Sequence, residues 1–300
     1  MTISVIIPTY NDAETIPRAI SSVLGQTVPV DEIIVVDDAS EDNTGAVVRA
    51  FDHDRVQYVK HDQNQGGSAA RNTGFEHSTG DYIAYLDADD EWLPQKLEKQ
   101  LEVLESRTGD WVAAHCDRKR DVSLRSKIGF ALSTIVGTKK SDPPKEGGDE
   151  LIKEVLTLNL STGASTLLVE RETVEAIGGF DPDFPRHQDW EFLIRVLQQG
   201  KLAYVDEPLV IKHGTGRPSI EVYEEGKKLL LTKFEDEVED LEKQGYEVTY
   251  IQQLQLTKLY IAEGQLYRGF RRLDLDELNS RELLSVLWYV PEGLFNRFIK

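Results

Sequence analysis

The sequence predicts an α/β protein with a mostly parallel central sheet flanked by helices, followed by a C-terminal helical extension. Over the first hundred residues, short β-branched runs alternate with amphipathic helical patterns, and short loops join them. Acidic residues follow the first, second and fourth of these runs, at the edge where sheets of this kind bind ligands. Beyond Ser219 the pattern is helical to the end of the chain.

Five strands are expected in the first part of the chain, each a short run rich in β-branched or aromatic residues. They lie at 3–7, 32–36, 56–59, 82–86 and 111–114. Helices are expected between them, because apolar residues recur there at helical spacing. These residues are Ile16, Ile20, Val23 and Leu24; Val47, Val48 and Phe51; Phe75; and Leu97, Leu101 and Leu104.

The pattern weakens in the middle of the chain. Residues 117–150 mix basic clusters with paired prolines and paired glycines, which predicts a long excursion from the sheet. Regular structure is expected to resume with a helix near 149–158, a strand near 166–169, a helix ending at Gly178, a helix after Gln188, and strands near 202–205 and 208–212.

Charge is the unusual feature of the composition. The chain has 53 acidic and 34 basic residues, a formal net charge of −19, with 40% hydrophobic residues. Such a surface repels polyanions, so we expect no nucleic-acid partner. An acidic coat of this kind is typical of proteins that stay in solution at high salt. Cys116 is the single cysteine, which excludes an internal disulfide and a cysteine zinc cluster.

The N-terminal segment is a short apolar run that ends at Pro8 and carries no basic leader. No uninterrupted apolar run approaches the ~20 residues of a spanning helix. We therefore expect a cytoplasmic protein that at most rests on the cytoplasmic face of a membrane.

Asp87-Ala88-Asp89 ends the fourth predicted strand and is the centre of the functional prediction. In an extended chain alternate side chains share a face, so Asp87 and Asp89 would point one way and Asp90 the other. Paired carboxylates suit a hard divalent cation, which binds one or two carboxylates together with phosphate oxygens. By itself the pattern is weak, because an acidic chain produces many such pairs.

The Asp-x-Asp pattern is accompanied by other motifs, and four motifs occur in order along the first ninety residues. They are PTYND at 8–12, VVDDAS at 35–40, GGSAARN at 66–72 and GDYIAYLDADD at 80–90. Together with GGFD at 178–181, QDW at 188–190 and His213, they resemble glycosyltransferase family 2, whose members have the GT-A (nucleotide-diphospho-sugar transferase) fold. The resemblance covers residues 1 to about 215. Walker A and Gly-x-Gly-x-x-Gly patterns are absent from the sequence.

The resemblance implies an inverting enzyme that transfers a sugar from a nucleotide-diphosphate sugar, with UDP favoured, to an acceptor hydroxyl. Asp38 looks like the acid that accepts a hydrogen bond from the N–H of a uracil-type base, and Tyr10 is placed to stack on it. Donor contacts are implied for Pro8, Thr9, Tyr10, Asp12, Asp38, Gly67, Arg71, Asp87, Ala88 and Asp89.

Asp189 matches the catalytic base of the family. A sugar hydroxyl is a poor nucleophile until its proton is removed, so the reaction needs such a group. Asp189 is expected where a helix begins, and the helix dipole favours a negative charge there. The family usually has Glu-Asp at this place, and Gln188 here replaces the Glu, which puts any role for position 188 in doubt.

A divalent cation, Mn²⁺ or Mg²⁺, is the implied cofactor. Its implied ligands are Asp87, Asp89 and His213, since a histidine at this place joins the Asp-x-Asp acid on the metal in many relatives. The flexible Gly214-Thr215-Gly216 that follows His213 would then be a lid over the bound donor.

The resemblance also predicts the organisation of the chain. Residues 1–215 would form the catalytic domain, with a nucleotide-sugar-binding half at 1–115 and an acceptor half at 116–215, and 216–300 would be the helical extension. The acceptor would be a saccharide, and family habit favours a lipid-linked saccharide in cell-surface glycan assembly.

Three other functions stay open at this point. They are a nucleotide-sugar-binding protein without catalysis, a transferase that uses a polyprenyl phosphate directly as acceptor, and a nucleotidyltransferase. The first conflicts with the joint presence of Asp87, Asp89 and Asp189. The second needs no strong base, because its acceptor is already anionic.

The last twenty residues, 281–300, are rich in apolar and aromatic side chains but are interrupted by Pro291. They predict two short amphipathic helices whose Trp288, Phe295 and Phe298 suit a membrane interface. Packing against the catalytic domain or against a second copy of the chain is the alternative, so peripheral membrane contact and a homo-oligomer both stay open.

Overall fold

The computed structural model describes residues 1–120, 145–160, 162–213, 219–273, 278 and 280–290. The chain separates into two compact units. We call them the sheet unit, made of 1–154, 160–183 and 188–216, and the helical unit, made of 155–159, 184–187 and 217–300.

The sheet unit is built on a mixed sheet with eight strands among the described residues. These are β1 (Ile3–Thr9), β2 (Glu32–Asp37), β3 (Val56–Lys60), β4 (Tyr82–Tyr85), β5 (Asp90–Trp92), β6 (Trp111–Arg120), β7 (Leu168–Glu170) and β8 (Lys201–Lys212). Their spatial order is β3-β2-β1-β4-β7-β6-β8-β5. The first four strands pair in parallel, as do β6 and β8. β7 runs antiparallel to β4 and β6, and β5 runs antiparallel to β8.

Helices of the sheet unit follow the predicted alternation. They are α1 (Ile16–Leu24), α2 (Thr44–Arg49), α3 (Gly67–Glu76), α4 (Lys96–Glu105), α5 (Glu150–Leu156), α6 (Arg171–Ile177) and α7 (Gln188–Leu197), with a 3₁₀ helix at Ala164–Thr166. The last two residues of α5 belong to the helical unit.

Burial on both faces explains why the central strands read as continuous apolar runs. In β2, Ile33 and Val35 join the large core cluster that also contains residues of α1. The alternate residues Ile34 and Val36 pack on the opposite face with Ala70 of α3. The sheet therefore has helices on both sides, as the alternation of strand and helix patterns predicts.

Three strands differ from the sequence-based prediction, and one of them, β5 (Asp90–Trp92), was not expected at all. The strands expected at 202–205 and 208–212 form one strand, β8. Pro208 lies opposite Asp117, where the register with β6 shifts, and the strand continues on both sides of it. Such a bulge accommodates a residue that cannot donate a ladder hydrogen bond. β6 continues to Arg120, into the stretch that was expected to leave the sheet. Residues 121–144 of that stretch lie outside the described part of the chain.

The helical unit contains α8 (Ile220–Lys233), α9 (Glu235–Lys243), α10 (Val248–Ala262), α11 (Leu266–Phe270) and α12 (Ser280–Leu287). Among its described residues, apolar contacts cluster around Ile220 and Tyr260 and around Ile261 and Val286. Among the residues described, none of the helices is both long enough and apolar enough to cross a membrane. The C-terminal helical extension predicted from the sequence is confirmed.

Close packing of α3 on β1 generates a stability prediction. A Cβ atom at Gly74 would lie 2.3 Å from Cγ2 of Ile6, so the helix or the strand would have to move. We expect Gly74→Ala to lower the free energy of unfolding by about 1–3 kcal/mol, measured by denaturant unfolding.

A double-mutant cycle identifies the cause of this loss. Ile6→Ala opens space beside position 74, so Gly74→Ala should cost less in that background than in the wild type. Equal costs in the two backgrounds would show that the contact with Ile6 is not responsible.

Candidate active site

A cleft with a volume of about 280 Å³ lies at the C-terminal ends of β1, β2 and β4. Its wall is formed by Pro8, Thr9, Tyr10, Asp12, Asp38, Gly67, Ala70, Arg71, Asp87, Ala88, Asp89 and Gln188. Every residue predicted to contact the donor therefore lies on the wall of one cleft. Ala70 and Gln188 are wall residues that the sequence did not single out as donor contacts.

Side-chain hydrogen bonds stabilise the part of the cleft wall that follows β1 and β2. Asp12 accepts hydrogen bonds from the hydroxyl of Thr9 (3.0 Å) and the backbone N–H of Tyr10 (2.9 Å). Burial raises the pKa of Asp12 despite these bonds. Asn11, in the left-handed region at φ 56°, donates its backbone N–H to Ser40 Oγ (2.8 Å). The loop after β1 is thus fixed to the loop after β2, and the ring of Tyr10 stays 46% exposed.

Asp38 is buried and joins the end of β2 to the start of α3. Its Oδ1 lies 2.8 Å from His61 Nδ1 and accepts the backbone N–H of Gln65 (2.8 Å). Its Oδ2 accepts the backbone N–H of Gly66 (2.7 Å). A carboxylate has about four acceptor positions, so a further bond to a base N–H is compatible with these contacts. That role of Asp38 stays a prediction.

Arg71 projects from α3 to Asp87, with Nη2 donating to Oδ1 at 2.6 Å. The guanidinium is 5.1 Å from the ring centre of Phe180, and the residue is only 5% exposed. Burial lowers the pKa of Arg71, but the charges of Asp87 and Asp189 outweigh it and keep that pKa above its usual value. Nε and Nη1 are buried and have no hydrogen-bond partner among the described residues. Arg71 therefore has donors to offer an anionic ligand.

Asp87, Asp89 and Asp90 form what we call the acid cluster, with one carboxylate oxygen from each within 4.8 Å of the others. The backbone turns here, with the N–H of Asp90 donating to the carbonyl of Asp87 (2.9 Å). The expectation that Asp90 points away from the other two acids is therefore wrong, because the backbone from Asp87 to Asp90 forms a turn and is not extended.

Asp90 is 1% exposed and depends on Ser165 of the 3₁₀ helix. Ser165 Oγ donates to Asp90 Oδ2 (2.7 Å) and accepts the backbone N–H of Asp87 (3.1 Å). The carbonyl of Ser165 accepts Nε1 of Trp92 (2.8 Å). Burial, followed by the charge of Asp87, raises the pKa of Asp90 to about 7. Its Oδ1 has no partner among the described residues, so the cluster has an unused buried ligand atom.

Lys212, at the end of β8, is a second cation at the acid cluster. Its Nζ lies 3.6 Å from Asp87 Oδ2 and 3.5 Å from Asp90 Oδ2. Burial would lower the pKa of Lys212, but the acid cluster outweighs burial and raises it. Burial also favours protonation of Asp87, whereas Arg71 and Lys212 hold its pKa below the usual value.

His213 does not lie in the acid cluster, although the sequence predicts it as a metal ligand. Its Nε2 is 3.0 Å from Glu91 Oε2. Metal ligation by His213 stays a prediction, and the predicted lid at 214–216 lies outside the described residues.

Asp189 occupies the first turn of α7 and is half-buried. Its Oδ2 is 3.4 Å from the place that a Cβ on Gly163 would occupy, and Nη1 of Arg118 is 3.0 Å from the same place. Its Oδ1 is buried and accepts no hydrogen bond from the part of the chain that the structure describes. The charge of Asp189 acts on both Arg71 and Lys212, which links it to the same site as the acid cluster.

Three residues of this site were not predicted from the sequence as site residues. Asp90 belongs to the same motif as Asp87 and Asp89, and Lys212 directly precedes His213. Both could have been considered from their positions. Ser165 carries no motif, and only the pairing of β7 with β4 brings its segment beside Asp87.

Comparison with known proteins identifies the family of the chain. The family model described as Glycosyl transferase family 2 matches residues 4–149. The chain is 41% identical over 212 residues to UDP-Glc:alpha-D-GlcNAc-diphosphoundecaprenol beta-1,3-glucosyltransferase WfgD of Escherichia coli, covering 68% of this chain and 73% of that protein. It is 32% identical over 217 residues to amylovoran biosynthesis glycosyltransferase AmsB of Erwinia amylovora, covering 70% and 69%.

A solved structure supports the fold over almost the whole chain. The mannosyltransferase PcManGT of Pyrobaculum calidifontis, in complex with GDP-Man and Mn²⁺, superposes with a TM-score of 0.61 at 19% identity, covering 99% of this chain and 87% of that one. The fold is the GT-A fold, as predicted. The chain belongs to glycosyltransferase family 2.

Families with this fold typically use a divalent cation, and the acid cluster fits one. Three carboxylates converge, and among the described residues the buried Oδ1 of Asp90 has no hydrogen-bond partner and could ligate a cation. Oxygen ligands of this kind suit Mg²⁺ and Mn²⁺.

The raised pKa of Asp90 generates a prediction about stability. The folded protein holds this proton more tightly than the unfolded chain, whose Asp pKa is about 3.9. The resulting stabilisation is complete below about pH 4 and is lost as pH rises through about 7. Asp90→Asn stays uncharged, so its stability relative to the wild type should increase by about 1–3 kcal/mol between pH 5 and pH 8.

Denaturant unfolding in EDTA at several pH values measures this difference. Asp54→Asn, on an exposed residue, controls for the change in net charge. A stability difference between Asp90→Asn and the wild type that is the same at pH 5 and pH 8 would contradict a raised pKa.

Proposed function

We propose that the cleft binds a UDP-sugar with a divalent cation, and that the enzyme transfers the sugar with inversion to a hydroxyl of a lipid-linked saccharide. The observation that carries this proposal is the shared site of the acid cluster, Arg71 and Asp189. The relative WfgD is named as a glucosyltransferase that acts between UDP-Glc and a diphosphoundecaprenol-linked sugar, and this similarity supports both the donor and the acceptor class.

The nucleotide would lie between the ends of β1 and β2. Tyr10 presents an exposed ring on the cleft wall, and aromatic rings of this kind stack on bases. Asp38 provides a fixed carboxylate on the same wall, suited to a base N–H. Nε and Nη1 of Arg71, which have no hydrogen-bond partner among the described residues, would bind the diphosphate, with which a guanidinium forms paired hydrogen bonds. The donor would thus extend from Tyr10 towards the acid cluster.

Asp87, Asp89 and Asp90 would hold the cation, with His213 as the further ligand implied by the family. When bound, a divalent cation neutralises the charge that develops on the departing diphosphate. Ser165 keeps the acids in place for this task, since one hydroxyl contacts both Asp90 and the backbone of Asp87.

Asp189 would act on the acceptor. Its carboxylate takes the proton of the acceptor hydroxyl while the hydroxyl oxygen forms a bond to the anomeric carbon of the donor sugar. The bond from that carbon to the diphosphate breaks, and the nucleoside diphosphate leaves with the electron pair. One displacement from the opposite face inverts the anomeric centre. Oδ1 of Asp189, which accepts no hydrogen bond within the described part of the chain, would receive the proton.

The same arrangement supports the predicted division of the catalytic region. The acid cluster and Arg71 lie within 1–115, whereas Asp189 and Lys212 lie within 116–215. We propose that 1–115 binds the donor, that 116–215 contributes the base and the acceptor side, and that 216–300 is a separate extension.

Replacement of the proposed base tests this mechanism. We expect Asp189→Asn to lower turnover by roughly two to four orders of magnitude, the usual contribution of a positioned acid–base group. Donor affinity should change little, because Asn keeps the shape of the side chain. Turnover is measured with a UDP-sugar and a lipid-linked saccharide, and UDP affinity by calorimetry.

Asp183→Asn is the matched control, because Asp183 precedes the same helix and is exposed. It should retain wild-type turnover. Near-normal turnover of Asp189→Asn would point instead to an acceptor that is already anionic, such as a polyprenyl phosphate. Donor binding by the wild type without any transfer would favour a non-catalytic binding protein.

A lipid-linked acceptor has to be met at a membrane surface, and the end of the helical unit offers apolar side chains for that contact. Leu284 and Leu287 of α12, and Trp288 after it, are 60%, 44% and 55% exposed. Residues 291–300, including Phe295 and Phe298, lie outside the described part of the chain. We propose peripheral membrane contact through this segment.

Flotation with anionic liposomes tests the contact. High salt screens the acidic protein from the lipid, so flotation should rise with salt. Leu284→Ser combined with Trp288→Ser should then reduce binding by about tenfold or more. Tyr267→Ser, at a residue that is 77% exposed on α11, is the control and should float like the wild type. Undiminished flotation of the double variant would refute the proposed contact.

A further inference from the structure

Lys212 approaches the acid cluster from a fixed place in the sheet. β5 and β8 pair in antiparallel fashion, and their register sets Lys212 opposite Asp90. The ammonium group lies between two acids, 3.6 Å from Asp87 Oδ2 and 3.5 Å from Asp90 Oδ2. Backbone pairing therefore keeps a positive charge at the place proposed for the cation.

The two cations at the acid cluster are held very differently. Arg71 bonds Asp87 at 2.6 Å with a side chain that is 6% exposed, and it packs on Phe180. Lys212 stays at ion-pair distance from its two acids, and its side chain is 32% exposed. An ammonium on a flexible four-carbon stem can exchange partners without a directed hydrogen-bond geometry. Arg71 is thus a fixed partner of the cluster, and Lys212 is a movable one.

Charge balance shows what Lys212 does to the cluster. Arg71 pairs with Asp87, whereas Lys212 lies at ion-pair distance from both Asp87 and Asp90, so the ammonium occupies the side of the acid cluster where these two carboxylates meet. A divalent cation is then attracted weakly, since the ammonium repels it. If Lys212 moves to the diphosphate of a donor, its two acids become available as ligands.

We propose that Lys212 is a displaceable counter-ion of the acid cluster: it neutralises Asp87 and Asp90 in the donor-free protein and transfers to the donor diphosphate when donor and divalent cation bind together. This positioning role rests on the proposed function. Its consequence is thermodynamic coupling, in which UDP strengthens cation binding and the cation strengthens UDP binding by the same factor.

Mn²⁺ titrations of the whole protein, with and without UDP, test the coupling by calorimetry. Without UDP, Lys212→Met and Lys212→Gln should bind Mn²⁺ about tenfold more tightly than the wild type, because a neighbouring like charge has been removed. The factor by which UDP strengthens Mn²⁺ binding should fall by about tenfold in both variants.

Two controls separate local charge from other effects. Lys201→Met removes an exposed lysine from the other end of β8 and should leave Mn²⁺ binding unchanged. Lys212→Arg keeps the charge, so its Mn²⁺ affinity without UDP should stay close to that of the wild type, and it provides a folded variant if the neutral substitutions unfold the protein.

Several results would overturn the inference. Unchanged or weaker Mn²⁺ binding by both neutral Lys212 variants would do so. UDP binding that needs no cation but is lost in Lys212→Met would mean that Lys212 replaces the cation. Failure of the proposed function is a separate result: Asp89→Ala would then bind Mn²⁺ as the wild type does.

Discussion

Three carboxylates converge within 4.8 Å at the turn after β4, and their mutual repulsion has to be compensated. Asp90 is almost fully buried, so water contributes little to stabilising its negative charge. The compensation comes from remote parts of the chain. Arg71 comes from α3, Ser165 from the 3₁₀ helix, and Lys212 from the end of β8. The acid cluster can therefore exist only when these elements of the sheet unit are assembled.

This dependence joins the two parts of the proposed catalytic region. Ser165 belongs to the later part of the chain, yet its hydroxyl contacts Asp90 and the backbone of Asp87, and its carbonyl accepts the indole of Trp92. The antiparallel strand β7 makes this possible, because it follows the 3₁₀ helix and pairs with β4. The acids within 1–115 and the structure around Ser165, within 116–215, are thus one hydrogen-bonded assembly. The geometry of the proposed cation site therefore depends on both parts of the chain.

The residues that the sequence motifs singled out as donor contacts meet at one cleft, because most of them directly follow the ends of strands. The ends of β1, β2 and β4 follow apolar runs that are easy to recognise, and parallel strands place their ends at one edge. Lys212 and Ser165 were missed because their positions depend on pairings with β5 and β4 that no local pattern encodes. The direction of Asp90 was predicted wrongly because the argument assumed an extended chain where the backbone turns.

Binding of UDP in the presence and absence of Mn²⁺ tests the central claim that the acid cluster is the cation site of the donor cleft. By calorimetry, Mn²⁺ should strengthen UDP binding to the wild type by at least about tenfold, as expected when a cation bridges carboxylates and phosphates. Asp89→Ala should lose this effect, whereas Asp54→Ala, at an exposed site, should keep it. An unchanged effect of Mn²⁺ on UDP binding in Asp89→Ala would contradict the account.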